Sequence, residues 1–380
     1  AMGDSVDDGD YNVAIGYLAM FDGDTSGDYN VGIGYKALSV ITDGTQNIGL
    51  GMQSLAGLTV GTHNIGFGYA AGGSGTLTGD YNINIGSYAG YKITDGNRNT
   101  LIGYSAGLEL LVGDFNIALG EKALSSAAGA DIQANIAIGK HSMQDGVVTG
   151  NSNIGLGTET LNNLTSGESN IAVGSGSMGL GTVTGNDNIS IGNFALEDVT
   201  SGGNNIAIGS GSLAGATNNI GNVAIGFETL KASANDGDKN IAIGYQAMKT
   251  GDVSGDGNIA VGELALEALT SGTDNIAIGS GAAKKVTSNT DNIAIGRNAF
   301  AESSNPGNYN IAIGLGAMKT GDVSGDYNVA IGHVALNNLT TGTDNIAIGP
   351  GAAANITNNA NNIAIGHDAF AASVNDGHRN

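Results

Sequence analysis

Asn240-Ile241-Ala242-Ile243-Gly244 belongs to a five-residue string that returns along the whole chain. The first full copy is Asn12-Val13-Ala14-Ile15-Gly16 and the last is Asn362-Ile363-Ala364-Ile365-Gly366; there are 21 full copies, and Asn380 opens a twenty-second. Successive asparagines lie 17 or 18 residues apart, with one interval of 19 between Asn116 and Asn135. A fixed period this short restricts the chain to repeat architectures. One unit has too few large apolar residues to offset the entropy of ordering its own backbone, so it must stack on its neighbours.

With the Asn as position zero, position 1 is Ile or Val except at Thr100, and position 3 is Ile, Val or Leu except at Phe67. Position 2 is Ala, Gly or Ser except at Asn84 and Leu101. Side chains alternate in a strand, and β-branched residues favour one over a helix. The pattern predicts a strand over positions 0–4, with positions 1 and 3 buried and the small position 2 on the opposite face. On this register Ile208→Ala should cost about 2–5 kcal/mol and Asn205→Ala less. Position 4 is Gly in every copy, which marks the corner that ends the strand.

Position 7 is always Ala, Ser or Thr, and position 8 is usually Leu, Met or Phe, as in Met248, Leu266 and Leu336. In extended chain these two face opposite ways, and position 8 then forms an outer apolar stripe suited to a neighbouring chain. A turn at position 6 would instead place both inside. A further apolar residue sits at position 11 (Leu164, Leu269, Val286, Leu339, Ile356) or position 13 (Val183, Val253, Val323), and each unit closes on turn chemistry such as Ser254-Gly255-Asp256. The expected fold is all-β: a parallel β-solenoid, or β-roll, of about 21 coils of 17–18 residues. It forms a single elongated domain over 1–380, with 1–11 a partial first coil, 12–379 the repeats and Asn380 starting an incomplete one. At about 4.8 Å per coil the rod is on the order of 100 Å long. In register, the asparagines (Asn205, Asn240, Asn275) form an amide ladder beside a glycine column (Gly209, Gly244, Gly279).

Glycine reaches 66 residues, but there is no Gly-X-Y period and only two prolines, which excludes collagen. A net charge of −22 argues against nucleic acid and anionic membranes as partners and keeps a long rod soluble. There is no cysteine. No apolar run approaches a membrane span, and no signal peptide is recognisable. Coil lengths run 18, 17, 17, 18 in 70-residue blocks from Asn12, Asn170, Asn240 and Asn310, while residues 82–169 break the rhythm with five coils. Lys249 to Asp256 recurs unchanged as Lys319 to Asp326. Four-coil units have been duplicated, as suits a scaffold whose length matters.

The Asn-x-Ala-x-Gly string followed by a small residue resembles the head repeats of trimeric autotransporter adhesins, and it looks like repeats of some phage tail fibres and of self-assembling extracellular β-solenoid filaments. The resemblance covers nearly the whole chain. It implies a left-handed β-roll, an extracellular setting and association with further copies; the coils here are longer than those of adhesin heads.

Catalytic chemistry is not expected. The five histidines, His63, His141, His333, His367 and His378, have no metal-ligand spacing, and no nucleophile motif with partners is present. No cofactor is expected. Asp22, Asp24 and Asp28 are weak calcium candidates, set against the ordinary use of Asp in turns. Tyrosines at position 5 (Tyr17, Tyr35, Tyr69, Tyr104, Tyr245) and before the Asn (Tyr11, Tyr29, Tyr81, Tyr309, Tyr327) can stack on sugars or serve as packing. The expected function is structural: an extracellular subunit stacking head to tail with itself into a filament, through Ala1, Met2 and Gly3 at one end and Ile363, Ile365 and Asn380 at the other. The alternative is a laterally associated homotrimer, an adhesin head or tail-fibre shaft that meets a host surface.

Overall fold

The computed structural model describes residues 9–73, 75–127, 131–231, 237–304 and 307–371. Among the described residues there are strands and turns and no helix. The chain divides into two compact units, Ala1–Asn188 and Ile189–Asn380. The first stacks ten parallel strands from Val13–Ile15 to Ile171–Val173, and the second stacks eleven from Ile189–Ile191 to Ile363–Ile365. Pairing is parallel and in register throughout each stack: Val13 lies against Val31, and Ile241 against Ile259. The first unit also pairs Val112–Asp114 with Asp131–Gln133 on a second side of the coil. Each unit is thus a parallel β-solenoid, as the period predicts. The strand proper is shorter than predicted, covering positions 1–3.

The predicted facing of that strand is inverted. Position 2 is the inward one: Ala207, Ala242 and Ala277 are fully buried, whereas Ile206 and Ile208 sit half-exposed on the outside. The reason is space. The large position 8 residue of one coil lies over position 2 of the next, so that a Cβ added at Gly32 would stand 3.2 Å from Cε of Met20, and one at Gly49 3.2 Å from Cγ of Leu38. The interior is already occupied by position 8 and by the buried position 11 or 13 residues such as Leu164, Val183, Leu269 and Val323. Two further isoleucines per coil cannot enter it at normal packing density.

Position 8 reaches the inside because the chain turns there. Gln246 and Met248, at positions 6 and 8, have φ of 54° and 50°, and Leu264 and Leu266 repeat the pair at 55° and 49°. Ala247 and Met248 are therefore both buried, as are Ala265 with Leu266 and Ala335 with Leu336. The turn at position 6 is the arrangement adopted, and the outer stripe expected of position 8 does not exist.

The asparagines form the expected ladder, wholly inside. The Asn258 backbone N–H and Nδ2 both donate to Oδ1 of Asn240, at 2.8 and 3.0 Å, while Nδ2 of Asn240 donates to the Gly255 carbonyl at 2.9 Å. Asn205 accepts from the Asn222 N–H at 2.9 Å, and Asn275 accepts from the Asn292 N–H at 3.1 Å. Each amide thus ties its own coil to the next one.

The two odd residues at position 2 obey the same volume rule. Where position 2 becomes Leu101, position 8 of that coil is Gly107; where it becomes Asn84, position 8 is Gly90. The large group has moved to the other wall. Asn84 fills its space poorly in chemical terms, because neither Oδ1 nor Nδ2 has a hydrogen-bond partner in a fully buried residue. Asn84→Leu should therefore stabilise the protein by about 1–3 kcal/mol, the cost of keeping such a group dry and unpaired. Urea denaturation of the two proteins measures it; a lower midpoint in the variant would contradict this account.

Candidate assembly face

With position 2 inside, positions 1 and 3 stand on the outer surface in two parallel columns. In the second unit one column runs Ile189, Ile206, Val223, Ile241, Ile259, Ile276, Ile293, Ile311, Val329, Ile346, Ile363. Its companion begins at Ile191 and ends at Ile365. No charged residue occupies either column in any coil. Each side chain is shielded along the stack by its equivalents above and below, and what remains open is its outward tip; Ile243 keeps 37% of its surface. Eleven coils at about 4.8 Å give a flat apolar strip roughly 50 Å long. The first unit carries its own strip, broken at Thr100 and at Phe67. A monomer rarely exposes an apolar surface this continuous.

The aromatic residues at the ends of each strand stack on one another. Tyr11 and Tyr29 lie 4.9 Å apart and within 5° of parallel, Tyr309 and Tyr327 5.0 Å and 4°, Tyr17 and Tyr35 5.9 Å and 14°. Parallel stacking covers the facing side of each ring, so these tyrosines act as packing between neighbouring coils.

Ile363 and Ile365 belong to the last described strand, and at 62% and 67% exposed they are far more open than equivalent residues inside the stack. Ala1, Met2, Gly3 and Asn380 lie outside the described residues. The ladder residues Asn205, Asn240, Asn275, Gly209, Gly244 and Gly279 stand in their stacks as expected.

Asp28 has a structural role: its Oδ1 accepts the Asp10 backbone N–H at 2.7 Å, and Asp238, Asp256 and Asp326 cap equivalent N–H groups one coil earlier. Asp22 and Asp24 are exposed. Among the described residues no group of three His, Cys, Asp or Glu is placed to hold a metal ion. His63 stacks on Tyr81 at 4.6 Å, and His367 faces Asp368 at 3.0 Å.

The inverted face is the feature that sequence reasoning missed, and two signals pointed to it. A solvent-facing position has no need to be confined to Ala, Gly and Ser, as position 2 is. An inward Asn at position zero also places position 2 on its own side by strand alternation. No protein-family model matches the chain, and no curated protein matches its sequence. No helix of the described residues is long and apolar enough to cross a membrane.

Proposed function

We propose that this is a structural fibre protein working outside the cell, whose solenoids associate side by side as a parallel homotrimer through the Ile/Val strip. The continuous outward strip at positions 1 and 3 carries the reading. Burying it requires a partner with a matching long, flat, apolar surface, and a second copy of this chain has one. Three such strips facing a common axis form a dry core walled by the coils, and a parallel arrangement keeps every 4.8 Å step in phase. The motif's likeness to adhesin heads and tail-fibre repeats supports the extracellular setting and a shaft or head role at a host surface. No catalysis is assigned.

The test is mass in solution. Sedimentation equilibrium of the intact chain should give three times the chain mass. Ile243→Glu, Ile278→Glu and Ile313→Glu combined should give monomers with an unchanged far-ultraviolet spectrum, because these side chains point away from the core. A monomeric parent protein at micromolar concentration would reject the proposal.

End-to-end stacking is a second reading, and the open Ile363 and Ile365 favour it: unpaired strand edges invite another chain. Electron micrographs of the intact protein would then show particles that lengthen in steps of one subunit. A charge at Ile363 or Ile365, or deletion of residues 1–11, would stop the lengthening while leaving the lateral state intact.

A further inference from the structure

One group of tyrosines in the first unit departs from parallel stacking. Tyr69 and Tyr104 occupy position 5 of their coils, but the coil between them has Ser87 there and presents Tyr88 at position 6. The Tyr88 ring fills the gap at right angles to its neighbours: 5.0 Å and 86° from Tyr69, 5.4 Å and 87° from Tyr91, 6.3 Å and 85° from Tyr104. The tilt breaks the ring-on-ring contact of the parallel pairs. The result is a surface groove of about 380 Å³ lined by Tyr88, Tyr91, Tyr104, Ser105 and Leu108. The Lys92–Glu109 ion pair, 2.5 Å between Nζ and Oε2, closes another part of its wall. The hydrogen bond with Tyr69, and then burial, push the Tyr88 hydroxyl above the usual phenol range.

We propose that this groove binds a neutral oligosaccharide through a pyranose ring laid on the tyrosine rings that line it. The C–H face of a pyranose is apolar and packs on an aromatic ring. Its hydroxyls can donate to the Glu109 carboxylate and accept from the Lys92 ammonium, charge-assisted bonds of the stronger kind. The groove's size lies within the range of small-ligand clefts. The class is neutral because the chain carries a net charge of −22, which repels uronate or sulfated glycans at long range. The inference rests on tyrosine geometry within one unit and holds for a monomer or an oligomer alike.

The experiment is saturation-transfer NMR and calorimetry on the intact chain, with cellohexaose, maltohexaose and chitohexaose as neutral probes and oligogalacturonate and alginate oligomers as acidic ones. At least one neutral probe should bind and receive saturation from tyrosine ring protons. Tyr104→Ala, at a residue 53% exposed, should leave the melting temperature unchanged and weaken binding about tenfold, and Tyr88→Ala should weaken binding as much. Tyr327→Ala, in a parallel stack outside the groove, should change nothing. Absence of binding by all neutral probes, binding that survives Tyr104→Ala, or preference for the acidic probes would each overturn the proposal.

Discussion

Gly244→Ala is expected to destabilise the protein by about 3–5 kcal/mol. Two causes act together. The backbone at Gly244 has φ near +139°, where L-residues are essentially absent, and an added Cβ would stand 2.5 Å from the Gly262 carbonyl oxygen and 2.6 Å from its carbon. Neither atom can withdraw, because Gly262 is itself pressed against Gly279 in the same column. Gly281→Ala is the control. Its φ is 66°, a conformation that Gln246 and Asn298 already adopt at the equivalent position, and the added Cβ meets only the Asn298 side chain. That change should cost about 1–2 kcal/mol. Urea midpoints give both values; equal costs would mean that the corner tolerates a side chain.

Asn240→Ala should cost about 1–3 kcal/mol, because it leaves a buried backbone N–H without its acceptor. The Asn258 N–H loses its acceptor at 2.8 Å, and the Gly255 carbonyl loses its donor at 2.9 Å and keeps only the longer bond from Asn258 Nδ2 at 3.3 Å. The damage should be local. Amide exchange should quicken in the coils on either side of Asn240 while distant coils keep their protection, since each coil is coupled mainly to its neighbours. Uniform exchange along the chain would contradict this. By the same reasoning Ile208→Ala costs less than Asn205→Ala in the monomer, because Ile208 is half-exposed and Asn205 is buried in the ladder. The strand pattern taken alone predicts the reverse order.

The architecture was legible because the period is strict and Gly occupies position 4 without exception. The ladder was legible because one residue type recurs at one place. The facing was not, because hydrophobicity ranks Ile241 and Ile243 above Ala242, and the usual inference sends the larger apolar residue inward. In a coil of 18 residues the interior is narrow, and the residue that fills it is Met248, swung in by positive φ at a non-glycine position. Nothing in the composition of Gln246-Ala247-Met248 announces that conformation. The groove at Tyr88 was hidden for a related reason. Tyr69, Tyr88 and Tyr104 look like three more members of a regular set, and a one-position shift of a single ring breaks their parallel stacking.

The outward strip has one further consequence. A surface that repeats every 4.8 Å looks the same after sliding by one coil, so two copies meeting through it have many alignments of nearly equal energy. Axial phase must therefore come from the faults in the pattern. In the first unit these are Phe67, whose ring stands 53% exposed in a column of Ile and Leu, and Thr100, the one hydroxyl among the β-branched hydrocarbons. In a parallel, in-phase association the Phe67 side chains meet at one level and the Thr100 side chains at another, and a slip of one step would set Phe67 against Leu50 or Ile85 instead. These two irregularities act as the vernier marks of an otherwise featureless scale.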